Sequence, residues 1–289
     1  MGLKSIHPCR SFAVLMVGTV TEEINVTKGK ELDVVQLSLL QDNYAYVVCD
    51  RKSQTALIVD SPEAEPIIEC LRNNKLTPVA ILNTHHHWDH IGANTKLKHK
   101  YPELKIFGSF YDRSRIPEIT DPIDGHQSIV LIDQEIDIIQ TPGHTLGHIS
   151  YFFKSEHFLF PGDTLFSAGC GRLFEGTPEV MLDSLCLLRN LPDDTLIFCA
   201  HEYTQSNIGF ALSIDSKNTD LVIYASEVEK LRSADKSTIP TVLSVEKKIN
   251  PFLRFDQPEF VDSLSRKTDL PLDSSKSVLS ATRKLKDVF

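Results

Sequence analysis

The stretch ILNTHHHWDHIG, Ile81 to Gly92, decides how this chain is read. An apolar run, VAILN, stops at Asn83, and four imidazoles (His85, His86, His87, His90) and one carboxylate (Asp89) follow within six residues. Such a cluster builds a core badly, because every buried polar group needs a partner. On a bare surface it gains nothing. In a locally extended segment His85 and His87 project the same way. Asp89 and His90 come next, as the chain turns. One loop thereby offers two ligands to one metal and two to a neighbouring metal. Imidazole and carboxylate are the donors that zinc and similar borderline ions take. His86 and Trp88 read as packing or loop support, and so does the downstream His148.

Three more stretches repeat the placement. IDIIQTPGHTLGH ends an apolar run at a Pro-Gly turn and then presents His144. FLFPGDT presents Asp163, and TLIFCAHEYT presents His201, each directly after such a run. A lone histidine after a strand is usually a satisfied polar residue, and a lone Asp in GDT usually forms a turn. Together with the first cluster they read otherwise. If the strands are neighbours, His85, His87, Asp89, His90, His144, Asp163 and His201 meet at one edge. Two metals that share one carboxylate, and leave room for water, need about that many ligands.

Short apolar runs between turns fill the chain from Val34 to about His201, with amphipathic segments at EAEPIIECLRNN and TPEVMLDSLCLLRNL. Many strands with a few helices predict an α/β fold of two sheets with helices outside. Beyond Glu202 strand signals nearly vanish. Leu221, Tyr224, Val228 and Leu231 recur at helical spacing, and helices are expected near 259–266 and 275–286. The expected division is an extension over 1–33, a catalytic domain over 34–201 and a smaller helical substrate-binding domain over 202–289.

A net charge of −9 argues against a protein held on nucleic acid by phosphate neutralisation. No apolar run approaches the ~20 residues of a membrane span. Six scattered cysteines without a CxxC pair suit a reducing compartment. The expectation is therefore a cytoplasmic monomer. Lys4 and Arg10 ahead of FAVLMVGTV raise a mitochondrial or other organellar leader as the alternative, a disordered extension as another, and Met16 as an internal start.

THxHxDH, then GHTxGH, then GD and a last histidine are the signature of the metallo-β-lactamase superfamily. Within it the chain resembles the glyoxalase II (hydroxyacylglutathione hydrolase) family from about Val34 to the C-terminus. The added likeness lies in LLQDNYAYVV, FPGDTLFSAGCGRLFEGTPE, HEYTQSN, NPFLR and the tail RKLKD. The resemblance implies an αββα sandwich followed by a helical domain. It implies one metal on His85, His87 and His144, the other on Asp89, His90 and His201, and Asp163 between them. The activity implied is hydrolysis of S-(D-lactoyl)glutathione to glutathione and D-lactate, the detoxification of methylglyoxal. Glutathione would be bound by Arg172 and Phe174 of the GCG loop, by Tyr203, and by Arg283 and Lys286 of the tail. Phe174 stands where some members have tyrosine, and Ala200 where glycine is usual. Residues 1–33 have no counterpart in the family core.

The chemistry agrees with the ligand types. Water is a poor nucleophile at neutral pH, and a divalent metal lowers its pKa from about 15.7 to about 7. A hydroxide held near Asp89 and Asp163 then needs no Ser or Cys nucleophile. Zinc is the first expectation, with iron or manganese as alternatives. Because the protein is acidic, an anionic thioester must be attracted locally by Arg172, Arg283 and Lys286. Three other readings remain at this point: a single-iron glutathione persulfide dioxygenase, a lactonase or β-lactamase of the superfamily, and a non-catalytic metal-stabilised binding module.

Overall fold

The computed structural model describes residues 10–14 and 23–289. The described chain divides into two compact units. One holds the residues up to Asp124 with Ile129–Ile136 and Lys154–Glu156; the other holds Gly125–Ser128, Asp137–Phe153 and His157–Phe289. This division follows packing. The expected boundary near residue 202 follows element type instead.

The first unit is built on an eight-stranded sheet in sequence order. Its strands are β1 (Arg10–Val14), β2 (Glu23–Lys28), β3 (Leu32–Leu39), β4 (Asn43–Asp50), β5 (Thr55–Val59), β6 (Thr77–Leu82), β7 (Lys105–Ser109) and β8 (Asp121–Ile123). The first five pair antiparallel. From β5 to β8 the pairing is parallel. Parallel neighbours need crossovers. Helix α1 (Ala64–Asn73) supplies the first, and α2 (Trp88–Ile91) with α3 (Asn94–Lys100) the second. The amphipathic reading of EAEPIIECLRNN holds: α1 buries Ile67 and Leu71, which join Ile58, Ile81, Leu97 and Ile106 in one core.

Because β5 and β6 are parallel, their C-terminal ends lie at the same edge of the sheet. Asp60 therefore emerges beside the histidine-rich loop. Of the extension expected over 1–33, residues 10–14 and 23–33 are described. Arg10–Val14 and Glu23–Lys28 are strands that continue the sheet outward, because the free side of β3 is a ladder of unpaired backbone groups that another strand satisfies. The leader reading falls mainly on residues 1–9 and 15–22, which lie outside the described residues, as do Lys4 and Met16.

The second sheet has six strands in the order β16-β15-β12-β11-β10-β9. These are β9 (Gln127–Leu131), β10 (Gln134–Gln140), β11 (Ile149–Phe153), β12 (Phe158–Phe160), β15 (Leu196–Ile197) and β16 (Thr241–Val242), while β13 (Leu165–Phe166) and β14 (Gly169–Cys170) form a separate ribbon. Of the short strand expected from TLIFCAH, only Leu196 and Ile197 are paired, as β15. Past Ile197 the ladder opens: Phe198 N–H still donates to Leu159 O at 2.8 Å, but Ala200 N–H reaches Gly162 O only at 3.4 Å. His201 lies just past this opening, in an isolated β-bridge.

Helices α4 (Pro178–Arg189), α5 (Thr204–Ile214), α6 (Thr219–Ser233), α7 (Leu243–Ile249), α8 (Pro258–Ser265) and α9 (Ser275–Asp287) complete the second unit. Several start on side-chain caps. Thr177 caps α4 with Pro178 in its first turn, and Ser274 and Ser277 form a capping box on α9. In α6 the predicted face is buried at Leu221, Tyr224 and Val228. Among the described residues no helix is long and apolar enough to cross a membrane.

Candidate active site

In the first unit, β6 delivers Asn83 and Thr84, both fully buried, and the chain leaves the sheet at His85. His85 Nε2 and His87 Nδ1 stand 2.9 Å apart. Asp89 and His90 lie on the single turn of α2, with Asp89 Oδ2 3.6 Å from His90 Nε2. Asp60 organises this loop. Its Oδ1 accepts from Thr84 N–H at 2.8 Å, and its Oδ2 accepts from Thr84 Oγ1 at 2.9 Å and from His90 Nδ1 at 2.8 Å. With the proton of His90 fixed on Nδ1, its Nε2 keeps a lone pair. The Thr84 hydroxyl, having donated to Asp60, accepts from His85 Nδ1 at 3.1 Å, which leaves His85 Nε2 as a ligand too. Asn43 Nδ2 donates to Asp89 Oδ2 at 3.0 Å. His86 turns away and meets the buried Asp112 at 2.9 Å, in keeping with loop support.

In the second unit the two remaining histidines, His144 and His201, converge on one carboxylate, Asp163. Asp163 Oδ2 lies 3.4 Å from His144 Nε2, and Oδ1 lies 3.4 Å from His201 Nε2. Each oxygen faces its own imidazole, as a carboxylate shared between two cations must. His144 Nδ1 donates to Arg172 O at 2.9 Å, leaving Nε2 for the ligand role. His148, read from sequence as support, is that: its Nε2 accepts from Asp163 N–H at 3.1 Å, and its Nδ1 meets Thr164 Oγ1 at 3.0 Å. Gly171 of the GCG stretch passes so close that a Cβ there would sit 2.0 Å from Asp163 O. Only glycine allows that approach.

The donor geometry fits metal ions. Two nitrogens bound to zinc at ~2.1 Å with tetrahedral angles stand ~3.4 Å apart. The four neighbouring donor pairs, two in each unit, lie between 2.9 and 3.6 Å. Three of the imidazoles have their second nitrogen committed to an oxygen, the arrangement that orients metal-binding histidines.

The expected substrate residues all lie in the second unit. Phe174 is 63% exposed and packs edge-on against His144 at 5.1 Å between centroids. Tyr203 is stacked on His201 at 4.7 Å, with planes 4° apart. Arg172 is exposed. Arg283 is not: it is buried, with Nη1 donating to Cys170 O at 3.1 Å and its other nitrogens on Asp287. The i, i+3 pair on α9 therefore splits, with Arg283 holding the GCG loop from behind and Lys286 half-buried beside it. Burial first, then the charges of Arg283 and Arg172, push the Lys286 ammonium down to about 8.

Reading the sequence did not single out Asp60, Asn43 or Thr84. Asp60 carried a signal of the same kind as the ligands, an acid directly after the apolar run TALIV.

Comparison with known proteins agrees with this architecture. The family model described as Metallo-beta-lactamase superfamily matches residues 41–201. A solved B3 metallo-beta-lactamase, BLEG-1, is similar with a TM-score of 0.60 and 24% identity, covering 75% of this chain and 98% of that one. ETHE1 from Myxococcus xanthus is similar with a TM-score of 0.59 and 24% identity, covering 82% of this chain and 92% of that one. Both likenesses concern the fold alone. The fold is thus that of the metallo-β-lactamases, followed by a helical region. That region, residues 202–289, matches the model described as Hydroxyacylglutathione hydrolase C-terminus. The hydroxyacylglutathione hydrolase of Trichodesmium erythraeum is 46% identical over 232 residues, covering 78% of this chain and 90% of the relative. The chain belongs to the hydroxyacylglutathione hydrolase family, a family of metal-dependent hydrolases. The fold and its His and Asp set fit a dinuclear metal site.

Proposed function

We propose that this chain hydrolyses S-(2-hydroxyacyl)glutathione thioesters, chiefly S-(D-lactoyl)glutathione, at a centre of two divalent metals. One metal would be held by His85, His87 and His144, and the other by Asp89, His90 and His201, with Asp163 available to both; all seven are groups able to hold a metal ion. Zinc is the first choice of ion, with iron or manganese accepted by the same donors. The observation that carries the reading is Asp163, whose two oxygens each face a different imidazole at 3.4 Å.

Bound divalent cations supply Lewis acidity and lower the pKa of water at the site. The chain's own residues do the rest. Asp60 and the Arg172 carbonyl, each accepting from Nδ1, fix the tautomers of His90 and His144 that present Nε2 as the ligand nitrogen. Lys286 and Arg172 attract the glutathione carboxylates, with Arg283 adding its charge from the buried side. Tyr203 and Phe174, packed on His201 and His144, offer apolar walls and one hydroxyl beside the thioester. The thiolate is a good leaving group, so no general acid is assigned. The division of labour is a catalytic domain over 34–201 and a substrate-binding domain over 202–289.

The test is steady-state hydrolysis of S-(D-lactoyl)glutathione with metal analysis on the same sample. Two metals per chain and release of glutathione are expected. One iron with oxygen consumption on glutathione persulfide would replace the reading with the dioxygenase. Stoichiometric metal without turnover of any thioester would replace it with a binding module.

A further inference from the structure

We propose that Glu246 of α7 is a positioning residue for the active centre. It clamps the tip of the β13–β14 ribbon, and through it the two flanks of that ribbon, Asp163 and Arg172. The inference rests on the proposed function for what the centre does. The clamp itself is visible in the second unit alone.

Glu246 is fully buried. Burial raises its pKa, and four donors answer it. Two come from the ribbon tip: Ala168 N–H reaches Oε2 at 2.8 Å and Ser167 Oγ reaches Oε1 at 3.1 Å. Two come from the helical side: Thr241 Oγ1 reaches Oε1 at 2.7 Å and Asn250 Nδ2 reaches Oε2 at 3.0 Å. The same Asn250 amide points at Phe166 O and Gly169 O, at 3.1 and 3.0 Å, and Asn207 Nδ2 donates to Ser167 O at 3.0 Å. Residues of α5 and α7 thus take up the polar groups of the tip.

The tip needs holding. Ala168 has a φ of 54°, the left-handed region that a Cβ disfavours. A two-residue turn with that strain keeps its shape only if its surroundings over-determine it. An apolar residue at this position would leave Ala168 N–H and three further donors without this acceptor. What the carboxylate adds is a fixed orientation for two donors on one hairpin.

That hairpin is short, with Leu165 paired to Cys170 and Phe166 to Gly169. One end is joined through Thr164 to Asp163. The other runs through Gly171, which lies against Asp163 O, to Arg172, whose carbonyl sets the tautomer of His144. A displacement at the tip is transmitted to both. Glu246 makes none of the contacts to the metal-ligand side chains described above, so its role is to position.

The test uses full-length chain loaded with cobalt(II), whose visible bands report ligand geometry. Glu246→Gln keeps the shape but turns one acceptor into a donor facing another donor. We expect an altered cobalt spectrum, metal lost to a chelator about ten-fold faster or more, and a raised KM for S-(D-lactoyl)glutathione. Leu264→Ala, in the buried face of α8, is the control for lost stability without a lost clamp. It should lower Tm and leave spectrum and metal retention at wild-type values. The proposal fails if Glu246→Gln retains the wild-type spectrum, or if the two variants lose metal equally at equal loss of Tm. Should Glu246→Gln not fold, Ser167→Ala, which removes one donor, must shift the cobalt bands; unshifted bands overturn the clamp. Spectrum and retention are read without substrate. A chain that behaves as expected there but cleaves no glutathione thioester keeps the clamp and loses the proposed substrate.

Discussion

On the proposed function, Lys286 should make substrate capture sensitive to mild alkali. Its ammonium is pushed from 10.5 down to about 8 by burial and by the neighbouring charges of Arg283 and Arg172. The sign follows from a lowered pKa on a cation. Below that value the group is charged and would pair with a glutathione carboxylate; as pH rises through it the charge is lost. A hydrogen bond between charged partners contributes roughly 1.5–3 kcal/mol net, and the half-exposed position of Lys286 favours the low end. About 1.4 kcal/mol is ten-fold in an equilibrium constant. KM for S-(D-lactoyl)glutathione should therefore rise about ten-fold across the titration, while kcat stays level because Lys286 does not touch the reacting atoms. The assay is a pH series of KM and kcat on metal-loaded wild type and Lys286→Met. Lys286→Met should start from the raised KM and lack the inflection. An inflection that persists in Lys286→Met belongs to the substrate amine or another residue and refutes the reasoning, as does a flat wild-type profile.

Asp163→Ala should lose metal and rate together, read by metal analysis beside turnover, since both cations are expected to share that carboxylate. Asp60→Ala should weaken metal binding by about 10–100-fold in a chelator competition, because His90 loses the acceptor that fixes its tautomer; unchanged retention would show that the loop orients itself. Gly171→Ala should abolish activity and lower Tm, because its Cβ would lie 2.0 Å from Asp163 O and the GCG loop has no room to move; wild-type rates would mean the loop yields.

Some of the site was legible because its chemistry is written locally. The histidine-rich loop declares itself by spacing alone, and the turns before His144 and Asp163 by Pro and Gly. Helices α1, α4, α6 and α9 were legible from apolar spacing and caps, since a helix's period and its end signals lie within its own residues. Asp60 was not legible. Its importance comes from β5 lying parallel beside β6, a pairing across more than twenty residues of chain that no local pattern encodes. The shortness of β15 was hidden for a similar reason: Phe198 and Cys199 are as apolar as any strand residue, and only the position of the neighbouring chain ends the ladder.

The tail shows the same limit. Arg283 and Lys286 share a helix face by spacing, and sequence treats them alike. The fold separates them, because Cys170 O and Asp287 occupy the Arg283 guanidinium, while Lys286 is left half-buried between two positive charges. Sequence by itself determined which residue types are available to grip cations and where the chain turns from strands to helices. Tertiary structure alone decided which protons those histidines keep, which cation is buried and which glycine is obligatory. Those outcomes depend on distances between residues far apart in the chain, and hydrogen bonding and desolvation act over a few ångströms of space, whatever the separation in sequence.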